Sequence, residues 1–500
     1  MNETLPAPLA RLGRLARVAM LPASGAVAAL GQAPWGMWPL TLVGFALVYG
    51  LFRRTEGWRA AAWLGWGVGT GHFLLALHWI TEPFLVDAAR HGWMAPFALV
   101  GLAGGLGIFW GAGLALARAA GGGAVAFVAA LGLAEAARGR LFTGFPWAQP
   151  GHALIDTPLL HWASWLGAPG LLVLILGAAV ALWHVIAGAR AGGAVALAAV
   201  AALWPLGAAL SPERAAGPDA PVVRLIQPNA PQHEKWHPDK AQMFYDRQRA
   251  FSAAGDVPPD LVVWPETAVP VLLGRAGPTL GAVSRAARGA PVVLGIQRME
   301  GPRIYNSLAV VGPGGTVRDV YDKHHLVPFG EYMPFGDLLA RFGVYGLASN
   351  QGQGYSAGPG ARLVDIPGLG RALPLICYEG VFARDLLSAP GRADVLLLIT
   401  NDAWFGRVSG PYQHLAQARL RSAEMGLPMI RVANTGVSAM IDATGRITAS
   451  IALGEAGWRD AALPPPLAGT LYARLGDAPM LVLYALLLAL SLWRDRARRN

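Results

Sequence analysis

The sequence predicts an α-helical membrane bundle of about eight spans joined to a soluble α/β domain. Three observations carry that prediction. Hydrophobic residues make up 54% of the 500 residues and charged residues 14%, well under the roughly 25% charged content of soluble domains. The charges are unevenly placed: long apolar runs fill the first 210 residues, whereas residues 211–478 have the balance of an ordinary soluble domain. Within that second part, short apolar β-type runs alternate with helix-like stretches, the pattern of sheets covered by helices.

Seven apolar segments come first, near 18–33, 37–52, 60–80, 93–117, 122–137, 169–187 and 192–210, and an eighth lies near 478–493. Several fall short of the ~20 residues that cross a bilayer comfortably. The basic start, Arg11, Arg14 and Arg17, does not make the first segment a signal peptide, because more apolar segments follow and no clear cleavage site does. Arginines fix the expected orientation. With a cytoplasmic N-terminus, Arg53, Arg54, Arg59, Arg118, Arg190 and the tail Arg494–Arg499 all fall inside, while Arg138 and Arg140 break the rule. An odd number of spans then puts the soluble domain outside the cytoplasm. The net charge of +10 follows these loop ends and the tail; no basic stripe with interleaved aromatics suggests nucleic acid. The aromatic stretch from Phe142 to Trp165 reads either as an interfacial segment beside a lipid site or as a surface element packed on the bundle.

Two linkers bracket the soluble part, Ser211–Pro218 and Leu463–Pro466, both rich in Pro, with Gly in the first. Between them the β-type runs are Val222–Ile226, Leu261–Trp264, Val292–Ile296, Leu308–Val311, Ala372–Cys377, Val395–Ile399, Met429–Val432 and Val437–Ile441. Helix-like stretches are Ala241–Phe251, Leu280–Ala287 and Gln413–Glu424. The domains expected are 1–211, 219–463 and a C-terminal helix at 478–493.

The chemistry is concentrated in rare residue types. The chain holds one cysteine, Cys377, so no intramolecular disulfide is possible, and three lysines, Lys235, Lys240 and Lys323, against 37 arginines. A thiolate is a strong nucleophile and a lysine can change protonation state, which arginine cannot. Glu266 joins them, because Glu266, Lys323 and Cys377 each follow a β-type run, where functional groups gather in α/β folds. Nucleophile, base and cation are the three parts that acyl chemistry needs. A lone Cys in an apolar strand is more often an inert packed thiol, and spacing alone leaves the two readings balanced.

Three longer motifs tip that balance. Trp264-Pro265-Glu266, Lys323-His324-His325-Leu326-Val327-Pro328-Phe329-Gly330-Glu331 and Cys377-Tyr378-Glu379 resemble the signature blocks of the nitrilase superfamily. With membrane spans before the domain and one after it, the whole chain resembles the membrane-integrated branch, the bacterial apolipoprotein N-acyltransferases. The resemblance implies an αββα sandwich and a Glu266–Lys323–Cys377 triad. It also implies supporting roles for Glu331, Tyr378 and Glu379, and an acyl-lipid entrance lined by Trp236 and Trp404. By the same resemblance a phospholipid donates an acyl chain through a Cys377 thioester to the α-amine of a diacylated apolipoprotein, in the bacterial inner membrane. The enzyme is expected to be monomeric, with no metal or cofactor and no nucleic-acid partner. The alternative is a membrane-tethered nitrilase-type amidase that passes the acyl group to water. A non-enzymatic transporter is a further rival, but Glu135, His72, His78 and His184 are scattered without evident partners, and buried structural roles are expected of them.

Overall fold

The computed structural model describes residues 14–209, 215–334 and 354–499; Arg11 and the linker residues Ser211–Arg214 lie outside them. The described residues fall into two compact units. One is drawn from residues up to Thr81, His91–Leu210 and the chain from Asp477 on; the other from Glu82–Arg90 and Ser211–Gly476.

The first unit is helical. Its main helices are α1 (Arg14–Ala29), α2 (Trp38–Phe52), α3 (Trp58–Ala76), α4 (Ala95–Ala119), α5 (Ala124–Arg138), α6 (Ala163–Ile186) and α7 (Arg190–Ala209). Each of the seven leading apolar segments forms one of these, and the eighth forms the C-terminal helix Ala478–Arg499. Four helical stretches are long and apolar enough to cross a membrane, Ala88–Ala119, Pro158–Ile186, Arg190–Ala209 and Ala478–Arg498. A fifth span exists if Trp58–Ala76 and His78–Leu85, bent by 64° at their junction, count as one. Helices α1, α2 and α5, at 16, 15 and 15 residues, are shorter than the ~20 residues that cross a bilayer comfortably; of the eight expected spans, four or five meet the length and composition of a crossing among the described residues. Large apolar side chains such as Val195, Leu206, Leu486 and Trp493 are exposed on this unit. Apolar surface on that scale belongs in lipid, and the protein is a membrane protein.

Small residues let these helices approach closely. A side chain at Gly71 would run into the Pro22 carbonyl, and one at Gly65 into that of Trp110. The exception to the arginine rule has a local explanation: Arg138 is 1% exposed, paired with Glu135 through Nη2–Oε2 at 2.5 Å, and donates to the carbonyls of Phe145 and Trp147. It braces the chain after α5 rather than marking a membrane face. The stretch from Phe142 to Trp165 packs into the unit, with Trp147, Ala153, Leu154, Ile155, Leu159 and Leu160 buried and Phe142 exposed, as the second of the two readings expects. His72, His78 and His184 each hydrogen-bond a backbone carbonyl, the structural role expected of them.

The second unit is a four-layer sandwich. Its strands are β1 (Val222–Gln227), β2 (Leu261–Val263), β3 (Val292–Glu300), β4 (Arg303–Val311), β5 (Val317–Asp322), β6 (Val364–Ile366), β7 (Gly370–Ile376), β8 (Val395–Thr400), β9 (Met429–Ala433), β10 (Ser438–Ile441), β11 (Ile447–Ile451) and β12 (Gly457–Ala462). They form two six-stranded sheets, ordered β12-β1-β2-β3-β4-β5 and β11-β10-β9-β8-β7-β6. Alternation along each strand builds the layers. Leu261 and Val263 of one sheet and Leu397 and Ile399 of the other meet in the central core. Val262 and Trp264 turn the other way, onto Tyr245 of the helix Pro238–Ala253 and onto Leu280 and Val283 of Gly277–Ala286. Leu396 and Leu398 pack on Leu415 and Ala418 of Gly410–Met425. The eight β-type runs and three helix-like stretches read in the sequence all correspond to elements, and the run that Lys323 follows is β5; β6, β11 and β12 were not foreseen.

Candidate active site

Strand direction gathers the site. β1, β2 and β3 are parallel, and two antiparallel steps through β4 return β5 to the same direction. Glu266, three residues beyond β2, and Lys323, one beyond β5, therefore emerge at one end of the first sheet. In the second sheet β7 and β8 are parallel, and their ends deliver Cys377 and the Thr400–Asp402 segment. The loop that carries Glu266 sits directly on β3: a Cβ at Gly295 would lie 2.4 Å from the Thr267 nitrogen and 2.6 Å from the Glu266 Cα, so only glycine permits this approach.

Glu266 is 6% exposed and Lys323 1%. Lys323 Nζ stands 3.8 Å from Glu266 Oε1 and 2.8 Å from Glu331 Oε2, so one ammonium is shared by two carboxylates. Neutral donors complete Glu266: Asn306 Nδ2 reaches Oε1 at 2.7 Å and the Asn401 amide reaches Oε2 at 2.7 Å. Glu331 also accepts from the Val327 amide at 2.8 Å and from Asn306 at 3.3 Å. Its contacts are thus with the lysine, Asn306 and the Val327 amide.

Cys377 leaves β7 at φ 52° and begins a short 3₁₀ turn, Cys377–Val381. That left-handed conformation costs of order 1–3 kcal/mol for a non-glycine residue and persists only where surroundings over-determine it. Two anchors do so here. Glu379, fully buried, accepts from the Ile376 amide at 2.8 Å, from the His324 and His325 amides at 2.8 and 3.2 Å, and from the Tyr321 hydroxyl at 2.9 Å. It thereby ties the cysteine turn to the Lys323 segment. On the other side His414 Nε2 lies 3.2 Å from the Cys377 carbonyl, while its Nδ1 lies 2.9 Å from Asp402 Oδ1. Asp402 in turn holds Arg431 at 2.6 Å.

Electrostatics divide the protons. Burial pushes the Cys377 thiol up, helped by the Glu266 charge and opposed by Lys323 and the Thr400 hydroxyl, so the resting group is a neutral thiol. Burial also raises the Glu266 carboxyl, with Lys323 pulling it back. For Lys323 burial alone would lower the pKa, but Glu331 and Glu266 outweigh it and hold the ammonium above its ordinary value. A firmly charged lysine beside a carboxyl of raised basicity is an arrangement able to accept a proton from a neighbouring thiol.

The structure thus brings Glu266, Lys323, Glu331 and Cys377 into one electrostatically linked cluster and places Glu379 as the bracket behind it. Tyr378 is buried, its ring edge-on to Phe382 and His325. Trp236, 43% exposed, lies with its ring 5.1 Å from the Lys235 ammonium. Trp404 closes the short turn Asp402–Trp404. Asn306, Asn401, Asp402, His414 and Arg431 were not singled out in the sequence. The available signal was a run of buried polar side chains within apolar strands, Asn306 in β4 and Arg431 in β9.

The carbon-nitrogen hydrolase family model matches residues 222–472, and the apolipoprotein N-acyltransferase N-terminal domain model matches residues 24–181. Three relatives bear the name apolipoprotein N-acyltransferase. That of Rhodopseudomonas palustris is 36% identical over 95% of this chain and 94% of its own. That of Bradyrhizobium diazoefficiens is 36% identical over 95% of both, and that of Sinorhizobium fredii 37% identical over 88% of both. With both family models matched in order and relatives covered nearly end to end, this chain belongs to the apolipoprotein N-acyltransferase family.

Proposed function

We propose that the protein transfers an acyl chain from a membrane phospholipid to the α-amine of the S-diacylglyceryl cysteine at the N-terminus of an apolipoprotein. The observation that carries this reading is the buried cluster in which Lys323 stands between Glu266 and Glu331 and acts electrostatically on Cys377. In the first half-reaction Glu266 takes the Cys377 proton as sulfur attacks the ester carbonyl. Lys323 stabilises the oxyanion of the tetrahedral intermediate. Collapse expels the lysophospholipid alkoxide, which takes the proton from Glu266, and the acyl group remains on Cys377 as a thioester. In the second half-reaction the acceptor amine attacks the thioester, Glu266 removes the amine proton, and collapse to the amide returns the thiol. Water must be kept out between the two steps.

Glu331 holds Lys323 in place, Glu379 and Tyr378 fix the turn of the nucleophile, and Trp236 and Trp404 line the route of the acyl chain. Both substrates are lipid-anchored, which suits a chain with apolar helices before and after the catalytic unit in sequence. The arginine distribution supports an inner-membrane location with that unit on the extracytoplasmic side, and action as a monomer is part of the proposal. Purified protein given phospholipid and a diacylated lipopeptide with a free α-amine is expected to yield the N-acylated lipopeptide. Release of free fatty acid at the same rate with and without lipopeptide would replace this reading by the amidase-type alternative.

A further inference from the structure

The mechanism above uses one lysine, yet a second is buried at the same site. Lys235 ends the short helix Gln232–Lys235 and is 6% exposed. Its ammonium donates to the Glu266 carbonyl oxygen at 3.1 Å and to Thr267 Oγ1 at 2.9 Å. Thr267 itself sits at φ 45°, a left-handed conformation that a β-branched residue rarely adopts. Two bonds from one cation therefore tie the Glu266 carbonyl to the Thr267 side chain across the peptide that follows Glu266. The same ammonium lies 5.1 Å from the Trp236 ring, within cation–π range.

A buried ammonium needs a counter-charge, since isolated burial of a cation is strongly unfavourable. The cavity beside Lys235 holds about 10 Å³, about the minimum for a single water. Phe244, Gln248 and Asn434 on its walls are neutral. Glu266 is the charged group that acts on Lys235. Glu266 in turn feels Lys323, Glu331 and Lys235. Counted over the four buried groups, two carboxylates face two ammoniums, and Lys323 alone would leave the pair of acids one charge short.

We infer that Lys235 is a positioning residue for the base, bracing the Glu266–Thr267 backbone and supplying the second cation that keeps Glu266 ionised and ready to accept the thiol proton. This rests on the function proposed above, and it adds a group to the site that the Glu–Lys–Cys scheme does not include. Burial brings the Lys235 pKa down to about 8, partly restored by Glu266. The contribution has a sign. Below pH 8 Lys235 is charged and lowers the pKa of Glu266; above it the charge fades, and with it this bias.

The test is the pH profile of single-turnover thioester formation on the full-length protein in detergent, for wild type, Lys235→Met and Lys235→Arg. Lys235→Met is expected to move the acid limb to higher pH, with a rate loss of roughly tenfold at pH 6.5 that narrows to about twofold at pH 9. Lys235→Arg, which keeps the cation, is expected to hold the limb near the wild-type position. An equal loss at every pH in Lys235→Met, with no separation from Lys235→Arg, would reduce Lys235 to a packing residue and overturn the inference. Should Lys235→Met fail to fold, Lys235→Arg decides: an acid limb at the wild-type position with the rate largely kept supports the role of the cation, and a limb shifted upward or an equal loss at every pH contradicts it. Wild type that forms no adduct at any pH instead defeats the functional reading itself, so the two failures are distinguishable.

Discussion

Two of the buried acid–base clusters among the described residues, one in each unit, pair their charges in opposite ways. In the helical unit Glu135 receives Arg138 through both oxygens, Nε at 3.0 Å and Nη2 at 2.5 Å, with Trp110 Nε1 at 2.6 Å. One acid meets one base in direct contact, and the remaining guanidinium donor goes to carbonyls. In the sandwich unit two carboxylates share Lys323, and the one beside the thiol is the more distant, 3.8 Å against 2.8 Å. The first cluster is neutralised within itself and holds structure. The second leaves Glu266 satisfied mainly by neutral donors, with its pKa raised by burial, and so able to exchange a proton. Burial of charge alone does not mark an active site; incomplete pairing beside a nucleophile does.

Substitutions can break that contrast. Glu266→Gln removes the base while keeping its size, though its NH2 cannot accept as the second carboxylate oxygen does, and it is expected to slow thioester formation by about 10²–10⁴-fold, far more than it lowers thermal stability. Stopped-time mass analysis and melting of the same preparation check both halves. Lys323→Met should lose about a hundredfold or more in rate, because the oxyanion loses its cation. Glu331 and Glu266 are then left buried without it, so the melting temperature falls as well. In the helical unit Arg138→Met is expected to destabilise by roughly 3–5 kcal/mol, since Glu135 becomes an unpaired buried charge. Turnover per folded molecule should change little; a large loss of turnover with unchanged melting would erase the distinction between the two clusters.

Smaller effects sharpen it. Gly295→Ala pushes on the Glu266 backbone and is expected to lower the rate of thioester formation by roughly tenfold, as displacement of a catalytic group by a fraction of an ångström does. Stability against pH should carry the mark of Asp402. Burial would raise its pKa, but Arg431 and His414 hold it well below the usual carboxylate range. A depressed folded pKa contributes stability above the unfolded value near 3.9, and that stability is lost as pH falls through and below it. Thermal melts from pH 6 to pH 3 should therefore fall for wild type more steeply than for Asp402→Asn, which starts lower.

Much of this was legible in the sequence because it is local. Parity along Leu261–Trp264 and Val395–Ile399 reports a strand buried on both faces, and Cys377, Lys323 and Glu266 stand out through rarity and long motifs. What escaped was set by tertiary register. Asn306 lies 40 residues from Glu266 and Asn401 135 residues away, and nothing near either one signals the partner. The short edge strand β6 has three residues, too few for a periodic signal. Span limits were the least legible part, because apolar helices of 15 residues match membrane segments in composition while falling short of the ~20 residues of a comfortable crossing. Arg138 stood out only as a break in the arginine rule, because sequence does not show that it and Glu135, one turn away on the same helix, both point inward. Lys235 carried a usable sign, being one of only three lysines.

The central claim is that Cys377 carries the acyl group as a thioester and yields it to an amine. Intact mass spectrometry of the detergent-purified protein after incubation with phospholipid tests it most directly. The account predicts a single acyl increment on wild type, absent from Cys377→Ala, stable in buffer and discharged on adding a diacylated lipopeptide with a free α-amine. An increment that survives in Cys377→Ala, or one that water removes as fast as the lipopeptide does, would contradict it.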